Sequence, residues 1–469
     1  MAMAHAVVRH ATLNSKAYSR LFPDLPAWRG SAADIEKLAA ACFVGDEIDN
    51  PAIPAGYTYF GQFMVHDLSF DARPLEGDQT LDDPNQRTPQ FDLDCVYAGG
   101  PVVSPAMYDL DAYGRFLLRA YPGGHADITR NSQRVGIVGD PRNDENLITC
   151  QIHTAALLRH NRTLAILAAT RPELTAEERF TKAAQAVRWA YHWALINDFL
   201  PRMAGHDQVD ALLTLDRAAG QYAYTPRLFD AAAPAALPLE FSGAALRFGH
   251  AMVRGTYRLR NARGTTPAVD VPLFALEGPS LRGGQHCTPA LAIDWPLFFD
   301  VDGQPPAQRA QRIAPHLAGP LAWVPGQSPA NLALRNLIRG TDYALPAGQD
   351  VARAIGATPV RPKRSDPLWF YILAEANEQQ AGQRLGEVGA AIVAGTIIDI
   401  LVKDPTTALN VAEAWSQEAA QMTAPMFVTG QHGVIDQAMP REPGWATIAA
   451  LLHDTPGTSE IAMERAATE

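Results

Sequence analysis

Apolar and polar positions along the chain repeat with a helical period far more often than they alternate in the manner of strands. Ser31, with Asp34 three residues on, has the form of a capping box ahead of an apolar-periodic run and predicts a helix through Ala41. Thr175 with Glu178 repeats the arrangement and predicts a long helix that must stop near Pro201. Leu147 to Ala169 predicts a further long, apolar-rich helix. Ser328 followed by Pro329 suits an N-cap and first turn, and Gly340 suits the far end, so a helix carrying Asn331 to Arg339 is expected between them. Tyr57 to Phe70 predicts another helix, in which Gln62 and His66 lie four apart and project from one face, with Asp67 a step further round. Prolines and glycines, 36 and 35 in number, gather in joints such as Gly99 to Pro105 and Gly278 to Pro289 rather than in a linker. The expected fold class is mainly α: one large single domain, residues 21–469, with long loops and minimal β structure, preceded by an arm at residues 1–20.

Composition narrows the class of partner. A chain of 469 residues that is 47% hydrophobic can bury a large core. A net charge of −11 with no basic run argues against nucleic acid, whose phosphates need basic patches. The cysteines, Cys42, Cys95, Cys150 and Cys287, form no C-x-x-C pattern, which argues against a zinc ribbon, c-type haem attachment or a disulfide framework. Ala390 to Val402 is the most membrane-like stretch, but it carries Asp399 and falls short of the roughly 20 apolar residues a span needs. It reads as a buried helix. Met1 to Arg20 lacks the apolar core of a signal peptide, so the expected location is cytoplasmic, or exported without a cleavable signal.

Candidate chemistry begins with Gln62 and His66. Two polar side chains aimed at one spot can handle a small polar ligand, although periodicity alone suits a satisfied core histidine at least as well. The run Phe60-Gly61-Gln62-Phe63-Met64-Val65-His66-Asp67-Leu68 closely resembles the distal helix of the animal-type haem peroxidases. That resemblance implies that His66 is the distal base, Gln62 a distal hydrogen-bond donor and Asp67 a calcium ligand. Val65 stands where mammalian members carry an aspartate esterified to haem.

Two further segments extend the likeness. Gly139-Asp140-Pro141-Arg142-Asn143-Asp144-Glu145, followed by His153 and His160-Asn161-Arg162, resembles the family's arginine signature. It implies that Arg142 is the catalytic arginine, Glu145 a haem-edge carboxylate and His160 structural. A fixed guanidinium suits the negative charge that builds on a departing oxygen. Leu239 to Met252, with Arg247-Phe248-Gly249-His250 at its heart, resembles the proximal helix and implies that His250 is the axial iron ligand. Asn336, ahead of Arg339-Gly-Thr-Asp342-Tyr-Ala-Leu345-Pro346, matches the family's partner for that histidine, with Arg339 on the same side of its helix at the cofactor. Arg247 occupies the place where cyclooxygenases and alpha-dioxygenases hold a radical-forming tyrosine; an arginine pairs with a haem propionate instead.

Thr88, Gln90, Asp92 and Asp94 alternate, so an extended backbone throws them to one side, and hard oxygens at that spacing suit calcium. An acidic loop by itself is more often solvated. With Cys95-Val96-Tyr97 after it, the segment resembles the family's calcium loop, which implies ligation by Asp67, Thr88, Gln90 through its carbonyl, Asp92 and Asp94. The resemblance runs from about Leu21 to about Leu452, with its motifs in the family's order. It implies haem b and calcium as cofactors, hydrogen peroxide as oxidant, and a halide or small organic electron donor. Because Val65 has no nucleophilic atom and Asn146 replaces a methionine that forms a further link in one relative, at most one covalent ester to haem is expected, through Glu145. A haem fatty-acid oxygenase is the alternative enzyme, disfavoured by Arg247. A non-catalytic, calcium-stabilised binding module is disfavoured by the intact set Gln62, His66, Arg142, His250 and Asn336.

Overall fold

The computed structural model describes residues 18–415, apart from 71–84, 86, 122–124, 217, 263–266 and 302–303. Residues 1–17 of the expected arm, and the expected domain beyond 415, lie outside the described residues. The helices are α1 (Ala32–Ala41), α2 (Gly56–Leu68), α3 (Asp94–Tyr97), α4 (Leu147–Thr170), α5 (Ala176–Ala194), α6 (Leu200–Ala204), α7 (His206–Leu212), α8 (Leu239–Gly243), α9 (Leu332–Asp342), α10 (Gly348–Ala354), α11 (Leu368–Gln380) and α12 (Glu387–Lys403). Strands among the described residues pair only in twos, for example Asp49–Pro54 with Arg309–Gln311 and Thr256–Arg260 with Val269–Pro272. The mainly α expectation with minimal β structure holds.

Local chemistry explains several helix starts. Ser31 and Asp34 form a reciprocal capping box on α1, and Thr175 and Glu178 form one on α5. Two sequence expectations are corrected. α5 does not stop at Pro201: it passes through a π-turn at Leu195–Phe199 into α6, where Pro201 occupies the first turn and its missing N–H leaves no bond unmade. The path ends instead at Gly205, whose φ of 96° suits a residue without a Cβ. α9 is capped not by Ser328 but by Asn331, whose side chain accepts from the Leu334 amide at 2.9 Å, and Gly340 lies inside its last turn rather than beyond it. The Ser328–Pro329 pair lies in the turn before, joined by a cis peptide.

The core is organised around α12, buried from Val388 to Leu401 and packed against α6, α7, α8 and α11. Gly389 permits the close crossing of α11: a Cβ there would stand 3.0 Å from Ile372 Cγ2. Asp399, in the stretch read as a buried helix, accepts from Tyr224 Oη at 2.8 Å and pairs with Lys403 at 2.8 Å. No helix among the described residues is long and apolar enough to cross a membrane. Tyr18–Ser19 pair with Leu237–Pro238, and Arg20 donates to Tyr343 O at 2.7 Å, so this end of the expected arm is part of the folded body. α2, buried along most of its length, packs between α4 and its preceding 141–144 turn on one side and the 245–252 segment on the other.

α12 lacks a capping side chain of its own, and Glu375 of α11 takes that role: its carboxyl accepts from the amides of Val388 at 2.9 Å and Gly389 at 3.1 Å. Burial nevertheless pushes this carboxyl up to about 7, against 4.5 for an ordinary glutamate. A pKa raised by folding means that the stability tied to the protonated form is fully present below pH 4.5 and is lost as pH rises through 7. Glu375→Gln keeps an acceptor and removes the charge. Between pH 4.5 and 8 the wild type should therefore lose roughly 3 kcal/mol relative to the variant in urea unfolding. A difference that stays flat with pH would refute this.

Candidate active site

α2 presents Gln62 and His66 to the start of α4, as their spacing predicts. His66 meets Asn143 through Nδ1 at 2.9 Å. Asn143 donates its Nδ2 to Cys95 O at 3.1 Å, and a carbonyl only accepts, so Oδ1 is the atom turned toward His66. Hence His66 carries its proton on Nδ1 and keeps a lone pair on Nε2. Burial, aided by the neighbouring Arg142 charge, pushes the His66 pKa down to about 3, so the ring is neutral. Asn143 Nδ2 also lies 3.1 Å from His153 Nδ1, which makes one amide the junction of three elements. His160 is buried against Tyr97 Oη at 3.2 Å and Gly114 O at 3.0 Å, as a structural role requires.

Gln62 is held as firmly. Its Oε1 accepts from Asn146 Nδ2 at 2.9 Å and Thr149 Oγ1 at 3.1 Å, and its Nε2 donates to Glu145 Oε2 at 3.3 Å. Asn146 also caps α4 through the Thr149 amide at 2.8 Å. Arg142 folds back on Asp140, with Nε to Oδ1 at 3.0 Å and Nη2 to Oδ2 at 2.8 Å, and Nη2 reaches His66 O at 3.1 Å. Gln62, His66, Arg142 and Glu145 are thus brought together.

The second cluster differs in one respect from expectation. Leu239 to Met252 is not a continuous α-helix: α8 breaks at Ala244, and Ala245–Met252 winds as a tighter 3-10 helix. Side chains take the carbonyls at the break: Arg247 Nε donates to Ser242 O at 3.0 Å, and Trp369 Nε1 to Arg247 O at 3.2 Å. His250 still meets Asn336 of α9, Nδ1 to Nδ2, at 2.9 Å, while Asn336 Oδ1 is buried with no partner. Burial, then the charges of Arg247 and Arg335, push the His250 pKa down to about 3. Arg247, Arg335 and Arg339 lie close enough to disfavour one another's charge; burial and Arg339 bring Arg247 down to about 9. Neither Arg247 nor Arg335 bonds a carboxylate among the described residues, and Arg339 donates to Tyr343 Oη at 3.0 Å. Arg335 and Glu145 lie near enough for each charge to favour the other.

In the acidic loop, Asp67 Oδ2 accepts from the Leu93 amide at 3.2 Å and Oδ1 is buried without a partner. Asp92 accepts from Thr88 Oγ1 at 3.0 Å and from the Asp94 amide at 2.9 Å. Burial raises the pKa of both Asp67 and Asp92, and for Asp67 the charge of Asp92 adds to it. Asp94 turns its Oδ2 to Arg87 at 2.5 Å. Among the described residues no three His, Cys, Asp or Glu side chains converge closely enough to hold a metal ion. The Gln90 amide donates to Thr88 O at 2.8 Å, and its side chain has no described bond. Sequence alone assigned no site role to Asn143, Thr149, Asp140, Arg335 or Arg87, and weighed Asn146 only as the replacement of a linking methionine. Asn146 and Asp140 carried local signals, each a side chain that caps the turn after it; the rest act through partners distant in the chain.

Residues 84–364, more than half of the chain, match the family model described as Animal haem peroxidase. The chain is 26% identical over 227 residues to Peroxinectin A of Dictyostelium discoideum, a match that covers 48% of this chain and 38% of that protein. Among solved structures, Peroxidase A from Dictyostelium discoideum superposes with a TM-score of 0.63 at 16% identity, covering 84% of this chain and 88% of that one. A fatty acid alpha-dioxygenase of Arabidopsis thaliana does so with a TM-score of 0.63 at 12% identity, covering 87% and 75%. At such identities the structural likeness shows the fold alone.

Proposed function

The chain belongs to the animal haem peroxidase family, and on that footing we propose that it is a haem peroxidase that reduces hydrogen peroxide and oxidises a halide or a small organic donor. The observation that carries this is the neutral His66, with Nε2 left free by Asn143, beside a guanidinium fixed on its own carbonyl. The alpha-dioxygenases share the fold, but Arg247, three residues before His250, offers no oxidisable phenol.

The residues present fit a haem. Asn336 Oδ1 has no partner; exchanging the two ends of that amide sets an acceptor on His250 Nδ1 and leaves the Nε2 lone pair for iron. Arg247 and Arg335, half-buried cations without a bonded carboxylate among the described residues, suit propionates, with Arg339 beside them. When bound, the haem supplies the electrons that cleave peroxide and recovers them from the donor. The chain's own residues manage charge and protons. His66 Nε2 accepts a proton from one peroxide oxygen and passes it to the other, which leaves as water, a role worth about 100- to 10,000-fold. Arg142 Nη1, with no described bond, faces the charge on that departing oxygen, while Asp140 holds the guanidinium. Gln62, anchored by Asn146 and Thr149, fixes the peroxide's approach. Asn336 keeps the His250 ring in one tautomer.

Two finer readings belong with this proposal. Asp67 Oδ1 and Asp92, with Thr88, the Gln90 carbonyl and Asp94, would hold calcium, and an unpartnered buried carboxylate oxygen is what a cation would satisfy. Glu145 would be the carboxylate at the haem edge and, with haem bound and peroxide as the two-electron oxidant, would supply the oxygen for at most one ester.

The purified protein should show a haem spectrum and consume peroxide. His66→Ala and Arg142→Ala should each slow the peroxide reaction by about 100- to 10,000-fold with haem retained, whereas His250→Ala should lose stoichiometric haem. Wild-type protein that binds haem yet ignores peroxide would sink the reading. After exhaustive dialysis, metal analysis should find one calcium per chain, and Asp92→Ala should lower both calcium content and melting temperature; if neither moves, the loop is simply acidic. Denaturing chromatography should show a linked haem fraction that rises with peroxide treatment and vanishes in Glu145→Gln. Two native links, or one that survives this substitution, would overturn the ester assignment.

A further inference from the structure

Arg87 stands immediately before the acidic loop, and its side chain is only 10% exposed. Its two terminal nitrogens reach in different directions. Nη1 pairs with Asp94 Oδ2 at 2.5 Å; Nη2 pairs with Asp140 Oδ2 at 2.7 Å and donates to Gly139 O at 3.0 Å. Asp140 is fully buried and is the same carboxylate that holds Arg142 by Nε, Nη2 and the backbone amide. One buried carboxylate therefore serves two guanidiniums, and Asp94 supplies the second negative charge that balances them. Burial works against the Arg87 charge, but Asp140 and Asp94 outweigh it and raise the pKa. Both cations also lie over the Phe70 ring, Arg142 at 4.6 Å and Arg87 at 5.8 Å.

We propose that Arg87 is a positioning residue for Arg142, acting through the Asp140 carboxylate that the two share. The proposal rests on the peroxidase reading. The device has a geometric and an electrostatic side. Arg87 Nη2 holds the same Asp140 Oδ2 that Arg142 Nη2 holds, so the carboxylate is kept from rotating off its bidentate pose on Arg142. It also draws off part of the Asp140 charge, which leaves Arg142 more of its own charge for a developing anion. A guanidinium does this where an ammonium does not: its planar fork spans two carboxylates, and a lysine meets one. The other leg, Asp94, belongs to the acidic loop, so the geometry of that loop reaches the catalytic arginine through three ion pairs.

The test is a double-mutant cycle on the holoenzyme together with crystal structures. Arg87→Ala should slow the reaction with peroxide roughly 10- to 100-fold while the KM for the donor stays put, since only Arg142 is misplaced. In an Arg142→Ala background the same substitution should change little. Arg87→Lys should recover part of the loss. An equal fold-loss in both backgrounds would mean that Arg87 acts as a general staple and would overturn the proposal. In the Arg87→Ala structure the Arg142 guanidinium should leave its bidentate pose on Asp140 or take more than one position; an unmoved Arg142 also overturns it. Should Arg87→Ala fail to fold, Arg87→Lys is carried through the same cycle and the same structure. A displaced Arg142 in the Arg87→Ala structure, alongside a wild type that shows no peroxide turnover, would uphold the device and sink only the peroxidase reading.

Discussion

An imidazole inside a protein is useful only when one of its nitrogens is fixed, and here two histidines are each fixed through Nδ1 by an asparagine from another element. Asn143 faces His66 at 2.9 Å and Asn336 faces His250 at 2.9 Å. An asparagine suits this work because it carries no charge. A carboxylate in the same place would favour the imidazolium, whereas burial beside an amide holds both rings at a pKa near 3, neutral at any ordinary pH. A neutral ring has a lone pair to offer, and which nitrogen offers it is decided by the amide. Helix packing serves this end: α2 must lie against the 141–144 turn for one pair, and α9 must reach the 245–252 segment for the other.

Charge is distributed around these neutral rings rather than on them. Asp140 gathers Arg142 and Arg87; Arg247, Arg335 and Arg339 gather near His250; Glu145 stands between the two groups, felt by both Arg142 and Arg335. The first group is balanced within the chain by Asp140 and Asp94. The second leaves Arg247 and Arg335 without bonded carboxylates among the described residues, an imbalance that a dianionic cofactor removes. The contrast explains why Asp140 lies below the ordinary carboxylate range in spite of its burial, while the carboxyl of Glu145, bonded by Gln62 rather than by a guanidinium, is raised.

What could be read locally was read correctly. Capping boxes at Ser31 and Thr175 are settled within four residues, and so is the common face of Gln62 and His66. The errors lie where two local signals compete. Ser328-Pro329 resembles a helix start, but Asn331 lies three residues before the amide that needs an acceptor, and a side-chain bond at 2.9 Å decides the matter. Pro201 resembles a stop, but the chain before it had already taken an extra residue into a π-turn. The break at Ala244 was invisible because the group that claims the Arg247 carbonyl is Trp369, from α11.

The sequence by itself determined the fold class, the helix carrying Gln62 and His66, and, through motif resemblance, the identity of the residues around which a peroxidase site would be built. It did so because capping, periodicity and i, i+4 geometry are properties of neighbours. Tertiary structure alone decided which nitrogen of His66 is free, that Asn336 meets His250, what holds Gln62, and that Arg87 shares Asp140 with Arg142. Those bonds join residues 77, 86 and 53 positions apart, and no local rule brings them together. A buried polar group must find a partner wherever the packing of the whole chain puts one.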